Sequence, residues 1–299
     1  MDWHAVFATN LIIAIVLTVV TQAIQIGAYA ARLAGVITGR IATAISLFSL
    51  FVTASRLAAL FITPALGGLA DRTAARAHEL HLDVVPASLV HLFDIQMRLI
   101  VASGTIGIVL GALLMPVFLM LFVRGIRSFE RSGSIPHALF RLFDPRVQID
   151  LIRSLRLPPA GRVLAFAEGA VPRRLLVANT AVWAVYAVGV VAAYYASVLD
   201  LDARGSAIGL SGLVNGIGTV LFSLFVDPTS ALIVDQSVRG ERPQGDVRAM
   251  IFWLIVTAFI GTVLAQLILN PAAHYIAAFA HLFVCNKGSL WSCLVSSAH

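Results

Sequence analysis

Six long stretches almost free of ionisable side chains divide this chain: Trp3–Ala31, Ile41–Ala70, Leu99–Val123, Leu175–Leu199, Gly205–Val226 and Ala249–Asn286. Each exceeds the roughly 20 residues a helix needs to cross a bilayer. None alternates with the period of two expected of a barrel strand. In lipid a helix satisfies every backbone group within one segment. The sequence therefore predicts an all-α polytopic membrane protein with about six transmembrane helices. Charged residues make up 12% of the chain, against about 25% in a soluble domain, and the mean hydropathy is +0.92. The first run lacks a basic leader and is twice the usual apolar length of a signal peptide, so it reads as a span, although Ala28-Tyr29-Ala30 resembles a cleavage site. The last run is long enough to tilt, or to bend at Pro271.

Arg56 interrupts the second run and is the one ionisable side chain between Ile41 and Ala70. It falls about 22 Å along a helix that starts at Ile41, inside a hydrocarbon core about 30 Å thick. A guanidinium stays protonated there because its pKa remains above about 12. It therefore needs an anion, a set of carbonyls or a water-filled cavity. Intramembrane charges usually mark substrate paths, which makes Arg56 the leading site candidate. A structural pair with a carboxylate or with helix-end carbonyls is the alternative.

Basic residues favour the cytoplasm. Of the 21 in the chain, fifteen fall in the first, third and fifth loops, and five in the second and fourth loops and the C-terminal tail. Both termini are thus expected outside and the loop 124–174 inside. Four parts follow: 1–123, a first membrane half of three spans; 124–174, a cytoplasmic loop; 175–282, a second half of three spans; and 283–299, an external tail. In the loop, Val147, Leu151, Ile152 and Leu155 recur at helical spacing beside Arg146, Arg153 and Arg156, and Pro158-Pro159 ends the pattern. This predicts amphipathic helices that either lie on anionic lipids of the inner leaflet or pack under the bundle. The net charge of +6 suits a membrane surface. The basic residues are spread over loops with no folded nucleic-acid module, so no nucleic-acid partner is expected.

The second and fifth runs match at an offset of 164. Arg40 meets Arg204, Leu60-Phe61 meets Leu224-Phe225, Pro64 meets Pro228 and Asp71 meets Asp235. Gly107-Ile-Val-Leu also resembles Gly261-Thr-Val-Leu at an offset of 154. Three spans per half would force the halves into opposite orientations, as in many transporters built from inverted repeats, with a site near the midplane. Pro228 is expected to break the fifth helix near its end, leaving Asp227 and Asp235 near the cytoplasmic boundary. Interhelical hydrogen bonding is the default role for the polar residues Gln22, Gln25, Asn179, Gln266 and Asn270 inside the spans, and Asn179 and Gln266 read that way. Asn215, in a glycine-rich stretch, is open between packing and substrate contact.

Catalytic and cofactor motifs are absent: there is no P-loop, no Gly-x-Ser-x-Gly and no His-Glu-x-x-His. His78, Glu79, His81, Asp83, His91 and Asp94 are metal-ligand types, but their spacing fits no motif and they read as a solvated external loop. His274 and His281 share a helical face, which reads as packing or an interfacial position. A disulfide between Cys285 and Cys293 in the external tail is chemically open.

Ala30-Ala-Arg32-Leu-Ala-Gly-Val, Thr38-Gly-Arg40, Ser46-Leu-Phe48 and Ser55-Arg56 resemble the start of the Amj family, the alternate lipid II flippases of bacterial cell-wall synthesis. Phe225-Val-Asp227-Pro228, Asp235 and Gly240 are similar to a later block of the same family. The resemblance runs from about residue 10 to about 280. It implies a multi-pass protein of the bacterial inner membrane that moves undecaprenyl-pyrophosphate-linked disaccharide-pentapeptide to the outer leaflet, with no enzymatic step and no cofactor. On that reading Arg56 meets the pyrophosphate midway. Arg32 and Arg40 capture it at the cytoplasmic edge, unless they serve as positive-inside anchors. Asp227 and Asp235 pair with these arginines in the empty state or carry coupling protons, and Asn215 contributes to the site. Two other classes stay open: a membrane enzyme acting on a polyprenyl phosphate, which needs an acid, base or nucleophile near Arg56, and a scaffold for cell-wall enzymes, in which Arg56 is replaceable. The sequence leaves the energy source and the oligomeric state, a homo-oligomer included, undetermined.

Overall fold

A computed structural model of the protein describes residues 9–82, 84–132 and 166–284. Among these residues, six helices are long and apolar enough to cross a membrane. The first span is α1 (Thr9–Ala28) continued by α2 (Ala30–Thr38). The second is α3 (Ile41–Ala59) continued by α4 (Ile62–Glu79), and the third is α5 (Ala87–Leu113). A separate helix α6 (Met115–Ser132) follows. The fourth span is α7 (Arg173–Leu199). The fifth is α8 (Arg204–Leu221), a π-helical turn at Phe222–Val226, and α9 (Asp227–Val238). The sixth is α10 (Gln244–His281).

Local chemistry sets these limits. Pro86, Pro172 and Pro243 stand immediately before α5, α7 and α10, where a missing N–H goes unneeded. Gly39 and Gly240 adopt φ of 69° and 76°, a left-handed conformation open to glycine at little cost. Each closes its helix with paired backbone bonds, Gly39 N–H to Val36 with Arg40 N–H to Gly35, and Gly240 N–H to Ser237 with Glu241 N–H to Gln236. These are Schellman ends. They turn the chain at one end of the bundle, the basic end, which carries Arg40, Arg239 and Arg242.

Proline also explains the two broken spans. Pro64 cannot donate to the Leu60 carbonyl, and the Thr63 hydroxyl does so instead at 2.7 Å. In the fifth span Pro228 leaves the Leu224 carbonyl without its usual donor. There the helix widens to π geometry, and the Thr229 and Ser230 hydroxyls donate to the carbonyls of Phe225 and Val226. The breaks at Leu60-Phe61 and Phe222–Val226 coincide with positions matched in the sequence.

Two tight helix pairs form the frame. α1 packs on α5, and α7 packs on α10. A Cβ added at Gly107 would lie 2.6 Å from the Val19 carbonyl oxygen, and one at Gly261 would lie 2.6 Å from the Thr180 carbonyl oxygen. Only glycine permits backbones so close. Asn179 Nδ2 donates to the Leu254 carbonyl at 2.9 Å and to Thr257 Oγ1 at 2.8 Å, joining α7 to α10. Gln266 Nε2 donates to the Arg98 carbonyl at 3.0 Å, joining α10 to α5. The interhelical role expected of Asn179 and Gln266 is thus observed.

The third span lies closer to the N-terminus than the run Leu99–Val123 indicates. It begins at Ala87 and includes Asp94 and Arg98, which pair with each other at 2.7 Å, while Arg98 Nη1 donates to the Gln266 carbonyl at 3.0 Å. It ends at Leu113, three residues before Pro116, the second residue of α6. The apolar residues Phe118, Leu119, Phe122 and Ile126 of α6 pack against Ala30, Ala31, Ala34 and Leu47. Of the 124–174 loop, the described part up to Ser132 continues this helix, with Ile126 in the same cluster. The amphipathic segment at 139–159, Asp83, Cys285 and Cys293 lie outside the described residues.

Candidate functional site

The candidate site lies between α3 and the fifth span. These elements are held apart by two cavities, which both touch Phe48. The larger is about 350 Å³ and is walled by spans one, two, three, four and five. α1 contributes Thr18, Gln22, Gln25 and Tyr29. Their spacing of four, three and four residues puts them on one helical face. α3 contributes Phe48, Val52 and Arg56; α7 contributes Trp183 and Tyr186; α8 contributes Asn215 and Thr219.

Arg56 stands in the last turn of α3, beside the break in the second span. That is where a cation is favoured by the helix dipole. It makes no hydrogen bond or ion pair with any described residue. Several neighbours are committed: Trp183 Nε1 donates to Tyr29 Oη at 3.2 Å, Tyr186 Oη donates to Thr219 Oγ1 at 3.0 Å, and Thr219 Oγ1 donates to the Asn215 carbonyl at 2.9 Å. Others are not. Thr18 Oγ1 and Gln22 Oε1 are buried with no hydrogen-bond partner among the described residues. Unpaired buried polar atoms cost about 1–3 kcal/mol each, so a lining that keeps them is one that suits a polar occupant or water.

The second cavity, about 290 Å³, lies nearer the basic end, between Arg32, Gly35, Ile41 and Ile45 on one side and Ser223, Asp227, Ala231 and Val234 on the other. Arg32 Nη2 donates to Asp227 Oδ1 at 2.7 Å. Its guanidinium lies 5.5 Å from the centre of the Tyr29 ring and 5.2 Å from that of Phe48, within range of cation–π attraction. Arg32 Nη1 is buried and has no hydrogen-bond partner among the described residues. Phe48 thus stacks on the cation of one cavity and lines the other.

Arg56 and Asn215 share the larger cavity, and Arg32 and Asp227 share the smaller one. Arg40 and Asp235 line neither. Arg40 pairs with Glu130 of α6, and Asp235 pairs with Arg239 at 2.9 Å, one turn along its own helix. At the far end of the bundle Arg204 pairs with Asp71, and His281 Nδ1 meets Asp200 Oδ2 at 2.7 Å. Of the histidine-rich segment, His78 and Glu79 end α4, while His91 and Asp94 lie in α5. Among the described residues no three His, Cys, Asp or Glu side chains gather as a metal site. Gln22 and Gln25, for which interhelical hydrogen bonding is only the default reading, belong to the lining. The stripe Thr18, Gln22, Gln25, Tyr29 was the signal for it.

Among the described residues the arrangement offers one unpaired cation in the larger cavity, neutral hydrogen-bonding groups and aromatic faces along a gap between helices. No described Asp, Glu, His or Cys lines that cavity. It can hold an anion with a polar attachment, and its described lining supplies no carboxylate, imidazole or thiol beside Arg56.

The family profile described as "Amj: Alternate to MurJ" matches residues 17–280. The chain is similar to the protein named "Lipid II flippase Amj" of Bacillus subtilis (strain 168), with 32% identity over 273 residues, 91% of this chain and 97% of that protein. No solved structure matches. With a profile that spans both cavities and a relative aligned along nearly its whole length, the chain belongs to the Amj family.

Proposed function

We propose that this protein is a lipid II flippase, moving undecaprenyl-pyrophosphate-linked peptidoglycan precursor from the cytoplasmic to the outer leaflet. The observation that carries the reading is Arg56, a guanidinium unpaired among the described residues and lining a cavity with Thr18, Gln22, Gln25 and Asn215. A charge within a membrane span costs several kcal/mol on insertion scales, so it is retained where an anion is to be met. A pyrophosphate takes a planar guanidinium fork in bidentate geometry. The neutral amides and hydroxyls suit the sugar and peptide, while the polyprenyl tail stays in lipid outside the gap.

In this reading the basic end faces the cytoplasm, both termini face outward, and anionic lipids of the inner leaflet surround the basic loops. Arg32 meets the pyrophosphate first. Asp227 occupies its guanidinium in the empty state, and the free Nη1 is the first donor offered. The substrate then passes Phe48 to reach Arg56. Arg40 and Asp235 flank the mouth and draw the anion in or release it. Asn215 contacts the head group.

The two halves are read as inverted repeats. Support comes from the matched breaks in the second and fifth spans and from the matched close approaches: Gly107 to Val19 in the first half, Gly261 to Thr180 in the second, each at 2.6 Å for an added Cβ.

The deciding experiment places purified protein in vesicles with fluorescent lipid II in both leaflets and adds a membrane-impermeant quencher. Vesicles with protein should lose nearly all the signal and protein-free vesicles about half. Equal loss in both, with folded protein present, overturns the reading.

A further inference from the structure

We propose that Asp71, Arg204, Arg40 and Asp235 are positioning residues of the transport cycle, forming two ionic latches between the second and fifth spans that close in alternation. At the far end Asp71 of α4 pairs with Arg204, the first residue of α8. This joins the two broken spans there. The sequence offset of 164 carries Asp71 onto Asp235 and Arg204 back onto Arg40. The image of the formed pair is therefore Arg40 with Asp235, at the opposite end of the same two spans.

That image is open. Ile41, next to Arg40, and Val234, next to Asp235, line opposite walls of the smaller cavity, so the cavity itself holds the two residues apart. Each is occupied elsewhere, Arg40 with Glu130 and Asp235 with Arg239. Both substitute pairs are solvent-exposed, and exposed pairs of this kind contribute little, so exchanging partners is easy. Glu130 belongs to α6, which has no counterpart among the described residues of the second half, and this accounts for why the two ends differ.

The structure thus has one latch shut and the cavity beside the other latch open. The larger cavity is smaller than a disaccharide-pentapeptide head group, so passage requires the second and fifth spans to part. Their breaks at Leu60-Phe61 and Phe222–Val226 supply the joints. Rocking about them while opening the Asp71–Arg204 end would close the smaller cavity and bring Arg40 to Asp235. The proposal rests on the inverted-repeat reading above, and it concerns how the gap opens rather than which lipid crosses.

The test uses the full chain in membranes with Cys285→Ser and Cys293→Ser. Arg40→Cys with Asp235→Cys reports the second latch by disulfide yield on mild oxidation. Adding Asp71→Arg, which turns the first latch into a repulsion, should raise that yield at least threefold. Combining Asp71→Arg with Arg204→Asp, which restores the first latch in reversed order, should return it to its starting value. A yield that Asp71→Arg leaves unmoved overturns the proposal. So does a rise that the reversed pair does not cancel, since the variant would then be distorting the fold. The readout needs no lipid II. Alternating yields in a protein that fails the vesicle assay would uphold the latches and refute the substrate.

Discussion

Arg32 and Asp227 differ in burial, and the difference predicts an asymmetric response to mutation. Arg32 is 9% exposed and Asp227 is 48% exposed. Asp227→Ala leaves a buried guanidinium with its Nη1 already unpartnered. Breaking a buried pair from one side costs about 3–5 kcal/mol. The lower end applies, because a cavity of about 290 Å³ adjoins the pair and lets water replace part of the lost carboxylate; about 3 kcal/mol is expected. Arg32→Met leaves a carboxylate that is half exposed and readily hydrated. The methionine keeps apolar contact with Tyr29 and Phe48, so the loss is mainly the cation–π attraction, about 1 kcal/mol. Arg32→Met with Asp227→Ala should cost about as much as Arg32→Met alone, since no buried charge remains. The double-mutant cycle then gives a coupling of about 3 kcal/mol. The assay is reversible unfolding of the purified protein by SDS in mixed micelles. Equal losses for the two single variants, or a larger loss for Arg32→Met, would refute the view that Arg32 depends on Asp227 for its burial.

Arg56→Ala should reduce lipid II transport in vesicles roughly 10- to 100-fold at unchanged protein level, because a charge-assisted hydrogen bond is worth about 1.5–3 kcal/mol. Arg56→Lys should recover part of the rate, since an ammonium keeps the charge and loses the fork; parental transport by Arg56→Ala would make Arg56 structural. Gly107→Val and Gly261→Val should each destabilise by about 3 kcal/mol in the same micelle assay, the upper end for overpacking, since the obstructing atom is backbone in both cases; a neutral Gly261→Val would contradict the close α7–α10 approach. In a background of Cys285→Ser and Cys293→Ser, an impermeant thiol reagent on intact cells should label Ser206→Cys and spare Ser132→Cys; the opposite pattern reverses the orientation.

The span count was legible because apolar length is a strong constraint in lipid. The third span shows where that logic stops. Counting charge-free residues assumes that charges mark the ends of helices. Asp94 and Arg98 are one turn apart and neutralise each other, and Arg98 also donates to the Gln266 carbonyl, so together they lie inside a helix that either alone would have ended. At the other end Pro116 separates α6, which no charge marks until Arg124.

The candidate site divides along a similar line. Arg56 stood out because nothing near it in sequence could neutralise it, and among the described residues nothing near it in space does either. The partner of Arg32 was within reach because the expected break at Pro228 put Asp227 near the same boundary. The partners of Arg40 and Asp235 were not. Arg239 competes for Asp235 at local helical spacing, and Glu130 competes for Arg40 from a helix outside the repeat. A repeat fixes which residues can meet across the bundle, whereas neighbours that break the symmetry decide which meeting occurs in one conformation. A sequence that encodes two such meetings with a single set of residues therefore cannot show both in one structure. In the proposed cycle the unmatched end, with Arg40 and Asp235 held by Glu130 and Arg239, is the form that the second meeting takes when the first is made.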